Sequence, residues 1–486
     1  MPTLTIDGKK IEVPPGTTVF NACKQSGTYV PNYCYHPALQ VAGNCRICQV
    51  EIKGQPKPAI SCNTPCAEGM EVFTRSEKAL KARKGVMEFL LVNHPLDCPT
   101  CDQAGECELQ DFAAKENQLQ SRFEEDKILK DRVDFGPHVQ YVPNRCILCT
   151  RCVRVCDDII GESALGIVQR GAHAEIALFP GANVDNPLFT NVVDACPVGA
   201  LLTKDHLHQG RAWFLKRTPS TCNACSRGCS ISVDSFRDHV TRVRPRHNPK
   251  VNDYWVCDIG RHDFRRYLHS PERLTTPLLA GKPVSWEEAL AVLKSKLPGA
   301  SAVGSAWGTS EENFLLGKLA KASVLLANAD GQARTFKSGF KIDADRNPNR
   351  IGATALGFKA GSAWPGGAIV LLDLIPGHAP DAGVMSGWKA ASFKACLSLL
   401  PSEFTRTADL VLPVAAFAET EGTYVNSQNQ AQWIRPAVKA PGEAREAWRV
   451  LAALAGVKAN AAKDVHALLP EALREAAAAP VAAAHA

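Results

Sequence analysis

Residues 144–152 read Asn144-Arg145-Cys146-Ile147-Leu148-Cys149-Thr150-Arg151-Cys152. Two-residue gaps between three cysteines let three thiolates grip three corners of one iron–sulfur cubane. The fourth corner needs a remote thiol, and Cys196, followed by Pro197, supplies one from much later in the chain. This set predicts a [4Fe–4S] cluster on Cys146, Cys149, Cys152 and Cys196. Cys156 adds the x3-C spacing of bacterial ferredoxins, where that cysteine serves a second cluster. A second cluster would need its own triplet near Cys196, and Ala195, Val198 and Gly199 do not provide one. Cys156 therefore reads as a spare, buried thiol.

Three further ligand sets lie on either side. Cys34, Cys45, Cys48 and Cys62 keep the C-x2-C pair and distant fourth cysteine of plant-type ferredoxins, with a longer first gap. The β-rich surroundings and small residues such as Gly43 favour a [2Fe–2S] cluster; the Cys45–Cys48 pair alone would favour zinc. His94, Cys98, Cys101 and Cys107 crowd four donors into a short segment, which fits either a tetrahedral zinc site or a cubane. An imidazole in place of a thiolate would make that cluster less negative and push its potential upward. Cys222, Cys225, Cys229 and Cys257 combine a tight triplet with one distant cysteine, again a cubane pattern with structural zinc as the alternative. Cys23, Cys66, Cys156 and Cys396 remain, each expected to be a small buried hydrophobe.

The chain has 486 residues and nineteen cysteines, of which only Cys396 follows residue 257. Clustered cysteines in so long a chain bind metal more often than they form disulfides. A net charge of +6 argues against nucleic-acid binding and against a polybasic membrane anchor. No apolar run reaches the length of a membrane span, and Met1-Pro2-Thr3-Leu4 does not open a signal peptide, so a cytoplasmic chain is expected. No GxGxxG fingerprint occurs, and Gly361 to Gly367 lacks a strand–loop–helix setting, so neither NAD nor flavin is expected on this chain.

Length alone suggests three to four domains. Leu4-Thr5-Ile6, Asp7-Gly8 and Ile11-Glu12-Val13 make a hairpin signal, and Thr17 to Gly27 reads as a short helix. Val50 to Ile52 and Ala59-Ile60 read as strands. A helix is expected from an N-cap at Ser76 to Asn93, with Leu80, Val86, Met87, Leu90 and Leu91 as its apolar face. Cys-rich loops alternate with short helices over 94–217, and a compact Cys-rich module spans 218 to about 268. Beyond 271 the composition turns to Ala, Leu and Val with α/β patterning, and Ala368 to Ile375 suits a buried strand. Cys396 also lies in a buried-strand pattern. The tail from Glu475 to Ala486 is mostly alanine and expected to fray.

Tyr33-Cys34-Tyr35-His36-Pro37, Gly43 to Cys48, His94 to Cys107 and Asn144 to Cys152 together resemble the large iron–sulfur subunits of complex I, the NADH:quinone oxidoreductase. The order of the four sets resembles bacterial members that keep an extra fourth cluster. Trp255 to Arg261, Arg273 to Leu278, Thr407 to Pro413, Glu421 to Asn426 and Gln432 resemble molybdopterin oxidoreductases. The resemblance implies a multidomain α/β and α+β chain. Its parts would be a β-grasp [2Fe–2S] domain at 1–78, a [4Fe–4S] domain at 79–118 and a ferredoxin-like [4Fe–4S] domain at 119–217. A molybdopterin-type [4Fe–4S] module at 218–270 and a shortened, vestigial molybdopterin-oxidoreductase-like domain at 271–486 would complete it.

That reading implies one [2Fe–2S] and three [4Fe–4S] clusters, with no molybdenum cofactor, because no persuasive metal ligand follows residue 271. NADH and flavin would sit on a partner subunit, with other peripheral-arm subunits alongside and membrane quinone-reducing subunits beyond. The whole would stand at the cytoplasmic face of the plasma membrane. The fourth set would sit off the main electron path. The rival is a relay subunit of a soluble NAD-linked formate dehydrogenase or hydrogenase. The first needs a longer molybdopterin domain, and an [FeFe]-hydrogenase needs more downstream cysteines than Cys396. A zinc-stabilised scaffold would be colourless, and a four-cluster chain brown. Arg242, Arg244, Arg246, Lys250, Arg261, Arg265 and Arg266, near the fourth set, are expected to offset cluster charge or form salt bridges, with a phosphate or pterin site as the alternative.

Overall fold

The computed structural model describes residues 1–116, 120–361, 364, 366–380 and 382–474. The tail from Glu475 lies outside the described residues, as do parts of the Gly361–Gly367 loop. The chain divides into two compact units, Met1–Phe214 with Phe336–Gly339, and Leu215–Thr335 with Phe340–Ala486.

In the first unit, β1 (Thr3–Ile6) and β2 (Lys9–Glu12) form the expected antiparallel hairpin. Asp7 and Gly8 take φ of 45° and 83°, the left-handed pair that a two-residue type I′ turn requires. Strands β3 (Gln49–Ile52), β4 (Ala59–Ile60) and β5 (Glu71–Phe73) complete a sheet ordered β2-β1-β5-β3-β4. The β1–β5 pair is parallel and the others are antiparallel. Alternation turns Leu4, Ile6, Val50 and Ile52 inward, where helix α1 (Val19–Gln25) adds Val19, Phe20, Ala22 and Cys23. This mixed sheet clasping one helix is a β-grasp architecture. It presents the loop carrying Cys34, Cys45 and Cys48 between α1 and β3, and Cys62 in the turn after β4.

Helix α2 (Glu77–Val92) is capped by the Ser76 hydroxyl, which accepts the Ala79 N–H at 3.2 Å. Its buried face is not the expected leucine stripe. Ala79, Arg83 and Met87, spaced i, i+4, i+8, are buried, while Leu80, Val86, Leu90 and Leu91 stay partly exposed. Arg83 can be buried because its Nε donates to the Gln49 carbonyl at 3.0 Å and Glu116 stands 3.8 Å away. Further on, Val133–Phe135 and Val139–Tyr141 take Leu201–Thr203 as a third strand. Leu201 pairs with Tyr141, so the chain returns beside the point from which it left.

The second unit opens with an antiparallel sheet of Lys216–Thr221, Ser230–Phe236 and His239–Pro245. Five parallel strands follow, in spatial order Lys321–Leu326, Ser301–Ser305, Ala368–Asp373, Phe393–Ser398 and Leu410–Pro413. Leu278–Leu279 and Lys282–Pro283 extend the last edge antiparallel. Numbered along the chain, the parallel strands run 2-1-3-4-5, a doubly wound order whose ligand crevice lies beyond the strands' carboxyl ends. The apolar run from Ala368 is the middle parallel strand, and Cys396 is fully buried in the strand beside it.

Arg273 holds Glu419 through two hydrogen bonds of 2.8 and 2.6 Å, with both side chains almost wholly buried. A buried pair adds little over apolar packing, but removing one member strands the other charge, at a cost of about 3–5 kcal/mol. Arg273→Leu is therefore expected to lower the thermal transition of the second unit markedly. Arg273→Leu combined with Glu419→Leu should recover most of the loss. Calorimetry of both variants checks this, and equal losses would show that the charge pair is not the cause.

Candidate metal centres

The first set forms a chain of contacts. The thiols of Cys34 and Cys45, Cys34 and Cys62, and Cys48 and Cys62 lie within hydrogen-bonding reach of one another. The Cys34 N–H also donates to Cys45 Sγ at 3.4 Å. Hydrogen bonds from Cys45 and Cys62 push the Cys34 thiol well down, and one from Cys62 lowers Cys48 to about 7, while the donors Cys45 and Cys62 are pushed up. Four thiols that must share protons so closely can all ionise only against added positive charge, which a metal centre supplies. Arg46, between the paired cysteines, takes φ 60°, the left-handed turn that brings Cys45 and Cys48 to the same side.

The second set lies between α2 and α3 (Glu108–Lys115). Burial holds His94 neutral, its pKa lowered to about 4, and its buried Nδ1 has no hydrogen-bond partner among the described residues. A neutral imidazole with an unsatisfied nitrogen fits a metal ligand. Cys107 occupies the N-cap position of α3; burial raises it to about 11, against the Gln110 and Leu109 N–H groups that favour its thiolate. Cys101 is buried, and Cys98 is exposed. A Cβ at Gly199 would stand 2.3 Å from Cys101 Sγ, so only glycine lets the backbone pass this sulfur.

The third set lines a single cavity. Cys146, Cys149, Cys152 and Cys196 line one cavity with Tyr141 and Ile176. The strand pairing of Tyr141 with Leu201 is what returns Cys196 to the triplet. Leu148 and Thr150 take φ of 51° and 61°. A left-handed β-branched threonine costs about 1–2 kcal/mol, and here it turns the short loop so that three thiols face one space. Burial raises Cys146 to about 11 and Cys149 and Cys196 to about 12. Such thiols stay protonated and inert until a metal displaces the proton.

In the second unit, Cys222, Cys225, Cys229 and Cys257 are all buried, and burial pushes each thiol up. Cys222 N–H donates to the Cys229 carbonyl at 2.8 Å, closing the triplet loop between two strands. The Cys257 sulfur accepts the Gly260 N–H at 3.5 Å, and a Cβ on Gly260 would lie 2.6 Å from Cys222 Sγ. The nearby arginines are engaged within the unit: Arg242 with Asp234 at 2.8 Å, Arg266 with Asp263 at 2.6 Å, and Arg265 with the Thr241 carbonyl at 2.5 Å. Of the leftover cysteines, Cys23, Cys156 and Cys396 are buried as expected. Cys66 differs, being only partly covered.

Among the described residues, no three His, Cys, Asp or Glu side chains gather as they would around a single metal ion. At the carboxyl ends of the parallel strands, Trp307, Leu374, Leu399, Phe417 and Tyr424 line a pocket with Glu312. The Glu312 carboxylate accepts the Thr309 N–H at 2.8 Å, and no thiol or imidazole lines this pocket.

Contacts that sequence reading missed join the first three loops. Arg154 donates to the carbonyls of Cys34 at 2.6 Å and Cys149 at 3.1 Å. Asn44 reaches the Leu148 carbonyl at 3.2 Å. Arg145 bonds Asp97 at 2.8 Å and the Gly199 carbonyl at 3.5 Å. Only the run of basic residues within the triplet hinted at this role.

The fold and its cysteine-lined sites define an iron–sulfur protein built from ferredoxin-type modules and a molybdopterin-oxidoreductase-like domain. Family models match in series: a 2Fe-2S iron-sulfur cluster binding domain at 1–77, an NADH-ubiquinone oxidoreductase-G iron-sulfur binding region at 83–122, and the ferredoxin-like domain of NADH-quinone oxidoreductase subunit 3 at 136–202. A molybdopterin oxidoreductase Fe4S4 domain matches 215–267 and a molybdopterin oxidoreductase model 377–457. The NADH-quinone oxidoreductase G subunit of Rickettsia bellii is 44% identical over 299 residues, 60% of this chain and 44% of that one. The mitochondrial NADH-ubiquinone oxidoreductase 78 kDa subunit of Neurospora crassa is 36% identical over 439 residues, 89% of this chain and 53% of that one. A solved NAD+-reducing [NiFe]-hydrogenase matches 43% of this chain and 90% of its own at 32% identity and a TM-score of 0.40. The chain spans about half the length of the curated relatives it matches. Over much of its length it is similar to NADH-quinone oxidoreductase G subunits.

Proposed function

We propose that this chain is an electron-relay subunit of an NADH:quinone oxidoreductase, taking electrons from an NADH-reduced flavin on a partner subunit and passing them toward quinone. Cys34, Cys45, Cys48 and Cys62 hold a [2Fe–2S] cluster. Three [4Fe–4S] clusters lie on His94, Cys98, Cys101 and Cys107; on Cys146, Cys149, Cys152 and Cys196; and on Cys222, Cys225, Cys229 and Cys257. When bound, the clusters carry single electrons; the chain supplies ligands, spacing and a low-dielectric setting that tunes potentials. The observation that carries this reading is the bonding of the third loop to both the first and second loops, through Arg154, Asn44 and Arg145. Such bonding supports a reading in which three centres stand side by side, as a relay requires.

The second unit carries the fourth cluster on a vestigial scaffold without molybdenum. Its pocket is lined by no thiol or imidazole, and Cys396 is shut inside a strand. The five domains run 1–78, 79–118, 119–217, 218–270 and 271–486. Among the described residues no helix is long and apolar enough to cross a membrane. In this reading partner subunits hold the chain at the cytoplasmic face.

Elemental mass spectrometry on anaerobically purified protein tests the reading directly. About 14 iron atoms per chain are expected, from one two-iron and three four-iron clusters, without molybdenum. Stoichiometric molybdenum would make the second unit an active site of its own, and zinc in place of iron would reduce the chain to a scaffold.

A further inference from the structure

Arg151 lies between two cysteines of the third set, and its guanidinium reaches all three ligand loops of the first unit. It donates to the carbonyl of Tyr35, next to Cys34, at 2.8 Å. It donates to the carbonyl of Ala195, next to Cys196, at 3.3 Å. Its third partner is the Glu108 carboxylate, next to Cys107, at 3.5 Å. Its own side chain is only 7% exposed, and its Nε–H is buried with no hydrogen-bond partner among the described residues.

A buried guanidinium is costly, and these partners only partly compensate it. One carboxylate at 3.5 Å is a long ion pair, two carbonyls carry no charge, and one N–H has nothing. A cluster ligated by thiolates supplies the missing negative charge, and that charge grows by one unit on reduction. A fixed cation nearby therefore favours the reduced form and raises the potential. In a medium of effective dielectric about 20, a unit charge several ångströms away is worth at least about one tenfold step in a redox equilibrium. Arginine suits the position better than lysine, because its fork meets three acceptors in different directions at once.

We propose that Arg151 is a shared potential-setting residue: one guanidinium, bonded to the loops of the first, second and third sites, raises the potentials of their clusters together and keeps them matched. The inference rests on the relay reading above. Arg151 is a positioning residue, acting through charge and loop geometry.

The test is a redox titration followed by EPR on the whole assembled NADH:quinone oxidoreductase carrying Arg151→Gln. At a fixed ambient potential, the ratio of reduced to oxidised third cluster is expected to fall on the order of tenfold, or about 59 mV for a one-electron couple. The first and second clusters should shift the same way by less. Unchanged ratios at all three clusters, in a variant with full iron content, would overturn the proposal. Arg151→Lys carries the test if the glutamine variant does not assemble. With the charge kept, the third-cluster ratio should stay within about threefold of wild type; a tenfold fall there would leave Arg151 only a packing role. Failure of the relay reading is separately visible, because wild-type protein would then show no reducible cluster signals at all.

Discussion

Cys149→Ser is expected to abolish NADH-driven quinone reduction while leaving the [2Fe–2S] EPR signal of the first site in place. The asymmetry follows from how the sites are built. Cys149 lines the third cavity with Cys146, Cys152 and Cys196, and its loop is held in shape by the left-handed turns at Leu148 and Thr150. A serine oxygen is a harder, less readily ionised donor and grips iron poorly, so the third cluster should be lost or left damaged. Changes around metal ligands already cost up to about 100-fold, and loss of a ligand from a centre on the proposed relay route should cost more. The first cluster has its own four thiols within a separately cored sheet, so its assembly should not depend on Cys149. Full quinone-reductase activity in this variant would sink the relay assignment.

Gly199→Ala should remove the second cluster without touching any ligand. A Cβ at this position would lie 2.3 Å from Cys101 Sγ and 3.0 Å from the Gln103 side chain. A free cysteine could rotate away. One bound to iron cannot, so the methyl group must displace either the sulfur or the backbone that also accepts from Arg145. The expected result is loss of the second cluster's EPR signal, with the first-site signal intact and iron content lowered by about four atoms. Normal iron and a normal second-site signal in Gly199→Ala would show that Cys101 is not held there by a metal.

Local chemistry made much of this chain legible before any coordinates. Asp7-Gly8 announces its hairpin because few residues tolerate two consecutive left-handed positions, and Ser76 announces α2 through its cap. The cysteine spacings point to thiol sets because ligands close together in a loop must also be close in space. Reading failed where the answer depends on partners distant in sequence. The leucines of α2 suggested its buried face, yet Arg83 took that place because Gln49 and Glu116 wait for it across the fold. Arg145, Arg151 and Arg154 looked like ordinary basic residues inside a motif. Their reach to Asp97, Tyr35 and Cys34 depends on how three loops meet, which no spacing rule encodes. The 2-1-3-4-5 order of the parallel strands was equally hidden, since strand patterns give direction and burial but not neighbours.

The return of Cys196 beside Tyr141 has a bearing on the life of the chain. Where the proposed cluster ties Cys152 and Cys196 to one inorganic body, the long segment between them becomes a closed loop, and the cluster works as a cross-link. By the reckoning used for disulfides, a closure of this length limits the unfolded chain by about 4 kcal/mol. A copy made without iron forgoes that restraint, and its strand pairing at Leu201 must hold the loop alone. It should open more often and be cut by proteases sooner, so that scarcity of iron is read out as a shorter lifetime of the protein itself.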